Sequence, residues 1–390
     1  MAVNALEITD IYQILNSIHN QATGRTALAP TNTAEFVSQA TATLAAGPDA
    51  VYNALMDVSM RPIFAVRDYT EKFKGLYRTN NEYGAVMRKI SFADKEIQEA
   101  ALPTWQPVDQ TSADQWVINK DDVLEMRFYG RAVYKDHFTV FEKQIKTAFS
   151  SPDQLGSFLT AQVTHRNNKY KQYRENLSRA TLANFIGAKY YLNNGIIHLL
   201  SEYNALTGLS LTSQTIYQPE NVRPFFQWVR SRINTLARMM RERSELYQVT
   251  VQGKHINRHT DNRDLEIYMD ASALDIIDTM VNANTYHDEP LKYANVEGVG
   301  YWQSIQSPSQ INVTPSYVAA NGTVATAEAQ NIQNMFGVMF DRDAIGINQF
   351  EYMIRNTPSN ASGLYFNTYL HSNMQYHNDL TEKGIVLLLD

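Results

Sequence analysis

The sequence predicts an α+β fold, and three observations carry that reading. Runs with period-two alternation at Ala85–Phe92 and Val123–Tyr134 read as the two arms of a long hairpin. Two long stretches of helical periodicity follow, one opening at Ser151-Pro152-Asp153 and the other at Gln218. The chain then closes on strand material, Leu364–Tyr376 and Gly384–Leu389, divided by a polar turn. A terminus of that kind is tied into a sheet and is not a tail.

Composition narrows the function. The 390 residues suffice for a large core and two or three subdomains, and 44% apolar content fits a globular chain. The net charge of -6 argues against a dedicated nucleic-acid binder. No cysteine is present, which excludes disulfides, thiolate metal sites and cysteine nucleophiles. No run approaches a membrane-spanning length, so no membrane partner is expected, and the N-terminus does not read as a signal peptide. Tyr, at 23, outnumbers Phe, at 16, and such polar-tipped aromatics suit surfaces half-buried against partners.

Taken in order, Met1–Asn20 reads as an amphipathic helix and Ala34–Ala46 as a weaker one, together an N-terminal arm over 1–60. The hairpin region spans 61–140, and its polar centre, Asp94–Asp122, has no core of its own. About fifteen residues per arm at roughly 3.3 Å each give a reach of roughly 50 Å, too long for a ribbon without a neighbour to lie on. The apolar row Leu124, Met126 and Phe128 is therefore expected to contact an adjacent subunit. Pro152 at the first helical position starts a helix of about 35 residues that is expected to stop at Gly187. On Gln218–Tyr247, Phe225, Val229, Ile233, Leu236 and Met240 face inward, and an Arg241–Glu245 pair is expected on the solvated side. Leu265, Ile267 and Met269 alternate as a strand, after which Ser272 is expected to cap a helix over Ala273–Asn284.

Catalytic signatures are missing: there is no phosphate loop, nucleophile elbow or HExxH helix. His255 and His259, near Asp261 and Asp264, have a metal-like spacing, but the stretch reads as a solvated loop. No catalytic residue, metal or cofactor is expected. Arg166, Lys169, Lys171, Arg174 and Arg179 form a basic row on the first long helix, and a second run extends from Arg223 to Arg243. The bland reading is a solvated face; the sharper one is contact with DNA, scaffold or a neighbour's acids.

Three segments carry a family resemblance: MFDRDAIGI (Met339–Ile347) with an Arg355-Asn356 turn and SGLYFNTYLH (Ser362–His371), FEKQIKTAFSSPDQLGSFL (Phe141–Leu159), and DLEIYMDASALDIID (Asp264–Asp278). They resemble the capsid proteins of tailed phages, herpesviruses and encapsulins, the Hong Kong 97-type (Johnson) fold, and most nearly the head proteins of short-tailed phages of the phi-29 type. The resemblance implies an E-loop in the hairpin, a P domain with a spine helix over 141–210, an A domain over 211–335, and strands at 336–390 returning to the P domain. It implies a non-enzymatic major capsid protein of the virion, forming an icosahedral or prolate shell and assembled in the host cytoplasm. The implied partners are itself, in hexameric and pentameric capsomers, a separate scaffolding protein, a portal protein and packaged DNA through non-specific contacts. It turns the first basic row toward the shell interior. An encapsulin-like cellular compartment is the alternative.

Overall fold

The structure, a computed structural model, describes residues 8–24, 29–47, 50–51, 54, 72–78, 87–95, 116, 118, 120–128, 132–141, 152–281 and 295–390. Its helices are α1 (Ile8–Thr23), α2 (Thr33–Leu44), α3 (Pro152–Tyr191), α4 (Leu199–Thr207), α5 (Pro219–Arg241) and α6 (Ala271–Ile276). The strands up to the last long helix and just beyond are β1 (Tyr77–Arg78), β2 (Met87–Phe92), β3 (Val123–Phe128), β4 (Ala132–Phe141), β5 (Ile196–His198), β6 (Leu265–Asp270) and β7 (Asn295–Val299). Then come β8 (Ile311–Val313), β9 (Ser316–Val318), β10 (Val324–Thr326), β11 (Gln330–Ile332), β12 (Met335–Asp341), β13 (Ile345–Asn356), β14 (Tyr365–Asn378) and β15 (Gly384–Leu388). The chain divides into two compact units: Met1–Lys72 with Arg131–Leu177 and Gln349–Met374, and Phe73–Gly130 with Ser178–Asn348 and Gln375–Asp390.

In the first unit, the segment expected to be an arm is instead packed. Ile11, Leu15 and Ile18 of α1 and Phe36 and Ala40 of α2 share one apolar cluster with Val140 of β4 and Phe366 of β14. The helix expected to be weak has a reciprocal cap. Asn32 Oδ1 accepts from the Glu35 N–H at 2.9 Å, and Glu35 Oε2 accepts from the Thr31 N–H at 2.8 Å. β4 pairs antiparallel with β14, from Tyr365↔Phe141 to Met374↔Ala132. The run read as a single strand, Val123–Tyr134, is thus two strands with different partners. The turn expected at Arg355-Asn356 is also displaced. Those residues end β13, and the reversal follows at 357–364, where Asn360 Oδ1 accepts from the N–H groups of Ser362 (3.0 Å) and Gly363 (2.9 Å).

The second unit is built on a five-stranded sheet, ordered β5-β15-β12-β6-β7. β12 lies antiparallel to β15 and β6, while β5 and β7 run parallel to their neighbours. The sequence reading assigned 336–390 and Leu265–Asp270 to different domains, yet β12, β15 and β6 form one sheet. The pairing of β12 with both strands was not visible, because a buried strand reads as a continuous apolar run.

One sheet face is covered by α5. Phe225, Val229, Ile233, Leu236 and Met240 pack on Ile267, Met269, Met339, Ile385 and Leu387. Fully burying each such side chain contributes roughly 1.5–3 kcal/mol. The other face holds Tyr268 and Phe340, with Phe73 and Phe185 set against them at ring distances of 5.3 and 6.0 Å.

Gly187 does not stop α3. A Cβ there would run into Val313, so the glycine serves close packing inside the helix. The helix ends at Tyr191, and Asn193 (φ 48°) and Gly195 (φ 72°) turn the chain into β5. α5 ends at Arg241, which leaves Glu245 outside the helix and removes the expected pair between them. The cap of α6 is Asp270 and not Ser272: Asp270 Oδ1 accepts from the N–H groups of Ser272 at 3.0 Å and Ala273 at 3.2 Å. The end of that helix as expected, 282–284, lies outside the described residues.

Candidate functional site

The hairpin is the candidate site for contact with other copies. β2 and β3 pair antiparallel from Met87↔Phe128 to Phe92↔Val123. Most of the tip, 96–115, lies outside the described residues, as does the expected reach of the arms. Leu124, Met126 and Phe128 were expected to face a neighbouring subunit; in the single chain this row turns inward. Leu124 is 4% exposed and clusters with Val251 and Ile256, and Met126 packs on the same group. The Phe128 ring lies 4.7 Å from that of His377. The cause is the loop 249–257, which runs beneath the hairpin and holds it by backbone. Asp94 N–H donates to the His255 carbonyl at 2.8 Å, and the Asn257 N–H donates to Asp94 Oδ2 at 2.7 Å. That Asn257 N–H keeps the Asp94 carboxyl below its ordinary range.

The outward row is Arg88, Ile90 and Phe92 on β2 with Val123, Glu125 and Arg127 on β3. Phe92 is 65% exposed, and Ile90 and Val123 are exposed beside it. Glu125 is held between two arginines, with Arg88 Nε at 2.8 Å and Arg127 Nε at 2.5 Å.

Beneath the hairpin lies a buried charge cluster that sequence reasoning missed. Lys89 Nζ of β2 lies 2.5 Å from Asp379 Oδ2 and also pairs with Glu382. Arg258 Nη1 meets Glu382 Oε1 at 2.7 Å, and its Nη2 donates to Ser91 Oγ at 2.9 Å. Asp379 Oδ1 accepts from the Thr381 N–H at 2.9 Å and from its hydroxyl at 2.6 Å. Burial opposes the charge of Asp379, but Lys89 and the Thr381 hydrogen bonds together outweigh it and hold the carboxyl below its ordinary value. For Glu382 burial prevails over Lys89 and Arg258, and the carboxyl is pushed up. These residues are distant in sequence, so no local pattern announces them.

The MFDRDAIGI motif supplies the frame of this junction. Asp341 N–H donates to the Lys383 carbonyl at 3.0 Å, Arg342 N–H to the Asp264 carbonyl at 2.8 Å, and Asp379 N–H to the Ala344 carbonyl at 2.7 Å. Gly346 leaves room for the His377 ring, which a Cβ there would strike. A cleft of about 560 Å³ opens beside the junction, lined by Arg243, Arg258, His259, Asp264, Asp341 and Glu382 among others. Its charges are of both signs.

Two buried lysines flank the cluster. Lys189 Nζ donates to Asn194 Oδ1 at 2.9 Å and to the Tyr247 carbonyl at 2.7 Å. Lys383 Nζ donates to the Glu242 carbonyl at 2.7 Å and to Ser244 Oγ at 3.0 Å. Two acceptors match the two N–H groups of a neutral amine. Burial pulls Lys189 down to about 7, against the attraction of Asp379, and pulls Lys383 down to about 8.

A pH dependence follows. Between pH 7 and the ordinary lysine value of 10.5 the unfolded chain holds a proton at Lys189 that the folded chain lacks. Stability from this group therefore rises with pH across that window and is flat below it. Wild type should gain about 2 kcal/mol on Lys189→Met between pH 7 and 9, read from urea midpoints. A constant difference across that range would show that the amine stays charged in the fold.

The predicted basic row does not form one surface. The Arg166 guanidinium lies 3.2 Å from the centre of the Phe138 ring, and Lys169 pairs with Asp136 at 2.5 Å. Arg174 sits 5.8 Å from the Tyr170 ring. Arg179 is buried, bonded to the Tyr301 carbonyl and 3.7 Å from the Tyr301 ring centre. Arg179 is therefore part of the interior, whereas Lys169 is exposed and Lys171 partly so. In the second run, Arg232 grips Glu202 by two bonds of 2.7 and 2.9 Å. His255 Nδ1 lies 2.7 Å from Glu245, and His259 lines the cleft. Among the described residues no three metal-ligating side chains converge.

Solved structures share this architecture. One chain of the capsid structure of Staphylococcus phage Andhra superposes with a TM-score of 0.56 at 11% identity, over 83% of this chain and 86% of that one. A chain from the structure of head fiber and inner core protein gp22 of native bacteriophage P68 gives 0.54 at 11% identity, over 83% and 88%. Among curated proteins none matches the sequence. The fold is thus a mixed α/β fold of the phage-capsid kind. Residues 13–388 match the family of Phi29-like phage major capsid proteins, and the chain belongs to that family. It is a structural protein of the virion, and the phage reading displaces the encapsulin alternative.

Proposed function

We propose that this chain builds its shell on a Hong Kong 97-type plan, with the β2–β3 hairpin as E-loop, α3 as spine helix and the β5-β15-β12-β6-β7 sheet with α5 as the A-domain core. Family membership carries the reading, and the order of hairpin, 40-residue helix, sheet and returning strands supports it. The protein works by association of copies, as hexameric and pentameric capsomers, without catalysis. The hairpin's contact with a neighbour falls on its outward row of Ile90, Phe92 and Val123, because Leu124 is committed to its own chain. Packaged DNA meets the shell through exposed lysines such as Lys169 and Lys171, in a sequence-independent and salt-sensitive way. Arg179 takes no part. A separate scaffolding protein and a portal protein complete assembly in the host cytoplasm.

Expression with and without the scaffolding protein of the same phage, followed by negative-stain microscopy, tests this. Uniform closed shells are expected only with the scaffold. Uniform shells from the chain alone would remove the scaffold from the account.

A further inference from the structure

We propose that the loop between α4 and α5 is a contact surface between copies of this chain. The inference rests on the shell-building reading above. From Tyr203 to Pro219 there is no Asp, Glu, Lys, Arg or His, although 19% of the chain is charged. Within this neutral stretch Leu206 is 70% exposed, and Leu209 and Tyr217 are each 46% exposed. Three exposed large apolar side chains thus fall within one charge-free stretch, a composition suited to an interaction site.

The loop is preformed. Gly208 caps α4 in the left-handed conformation, its N–H donating to the Asn204 carbonyl at 2.8 Å. The Asn204 side chain holds Leu211 like a strand partner, accepting from its N–H and donating to its carbonyl, both at 2.9 Å. The Thr212 N–H donates to Thr215 Oγ1 at 2.7 Å, and Asn221 Nδ2 donates to the Thr215 carbonyl at 3.0 Å. Ile216 is fully buried beneath. A surface ordered before binding loses little entropy on association.

Charge selects the occupant. Each copy carries a net charge of -6, and like charges brought together across an interface are costly. A neutral apolar loop lets identical acidic chains meet without that cost, and it offers nothing to a polyanion. A head-to-tail contact between identical subunits needs two different patches. The same unit has a second charge-free stretch, Tyr301–Ala327, which exposes Ile305 (75%) and Val324 (77%).

The test is sedimentation velocity of the purified chain over rising concentration, wild type beside Leu206→Lys/Leu209→Lys. Both positions are exposed, so the variant should keep the wild-type thermal transition. It should need at least about tenfold higher concentration to associate, equivalent to about 1.4 kcal/mol. Leu206→Ser/Leu209→Ser should show the same direction without added charge, and it serves if the lysine pair does not fold. Unchanged association in folded variants would overturn the loop's role alone. A wild type that stays monomeric at every concentration, both alone and with the scaffolding protein of the same phage, would overturn both the loop's role and the shell-building reading.

Discussion

Asp379→Ala is expected to destabilise the unit that holds the hairpin by about 3–5 kcal/mol, the usual cost of removing one partner from a buried ion pair. The carboxylate is fully buried, meets Lys89 at 2.5 Å and takes two hydrogen bonds from Thr381. Its loss leaves Lys89 and Arg258 facing Glu382 alone. Replacing both partners, as in Lys89→Met with Asp379→Leu, should cost much less, and the double-mutant cycle would isolate the pairing. The pH dependence has a fixed sign. The folded value of Asp379 is depressed, so its contribution is present above the ordinary carboxyl value of 3.8 and is lost as pH falls through the lower folded value. The gap between wild type and Asp379→Ala in chemical denaturation should therefore close in strong acid. A difference below about 1 kcal/mol at neutral pH, the size of a surface pair, would show that the cluster does not secure the hairpin.

Gly195→Ala is expected to be comparably damaging for a steric reason. Gly195 has φ +72°, where an L side chain costs roughly 1–2 kcal/mol. A Cβ there would also lie 2.5 Å from the Gly384 carbonyl oxygen, and backbone in a sheet cannot swing aside as a side chain can. The Gly195 carbonyl accepts from the Val386 N–H at 2.8 Å, so displacement would loosen the seam between β5 and β15. A total of about 2–5 kcal/mol is expected when overpacking is added to the backbone cost. Gly208→Ala is the control: its φ is +73°, but no atom lies within 4 Å of its Cβ. It should cost only the backbone part. Equal thermal shifts in the two variants would show that the clash is relieved.

Much of the architecture was legible because period reveals type. The inward face of α5, from Phe225 to Met240, and the strand at Leu265–Asp270 reappear as read, although that strand is buried on both faces and not only along Leu265, Ile267 and Met269. The two runs read as hairpin arms also pair with each other, from Met87↔Phe128 to Phe92↔Val123. What failed did so for definite reasons. Gly187 carries the signature of a helix stop, but its role is to admit Val313, a contact more than a hundred residues away. The cap at Asn32 and Glu35 is a local signal, whereas the Ala- and Thr-rich body of the segment predicts only a weak helix. Alternation showed that Leu124, Met126 and Phe128 share a face; it could not show that the 249–257 loop lies beneath them. The cluster of Lys89, Arg258, Asp379 and Glu382 leaves no local trace, since its members meet only through tertiary packing. The basic row was visible as composition, but stacking on Phe138 and Tyr301 consumes part of it.

A density reconstruction of intact heads that contain this chain tests the central claim most directly. The account predicts a closed shell in which every subunit position is occupied by this fold, with Ile90, Phe92 and Val123 of each hairpin against a neighbouring copy and Leu124 inside its own. A shell built from a different chain, or hairpins whose outward row faces solvent at every position, would contradict it.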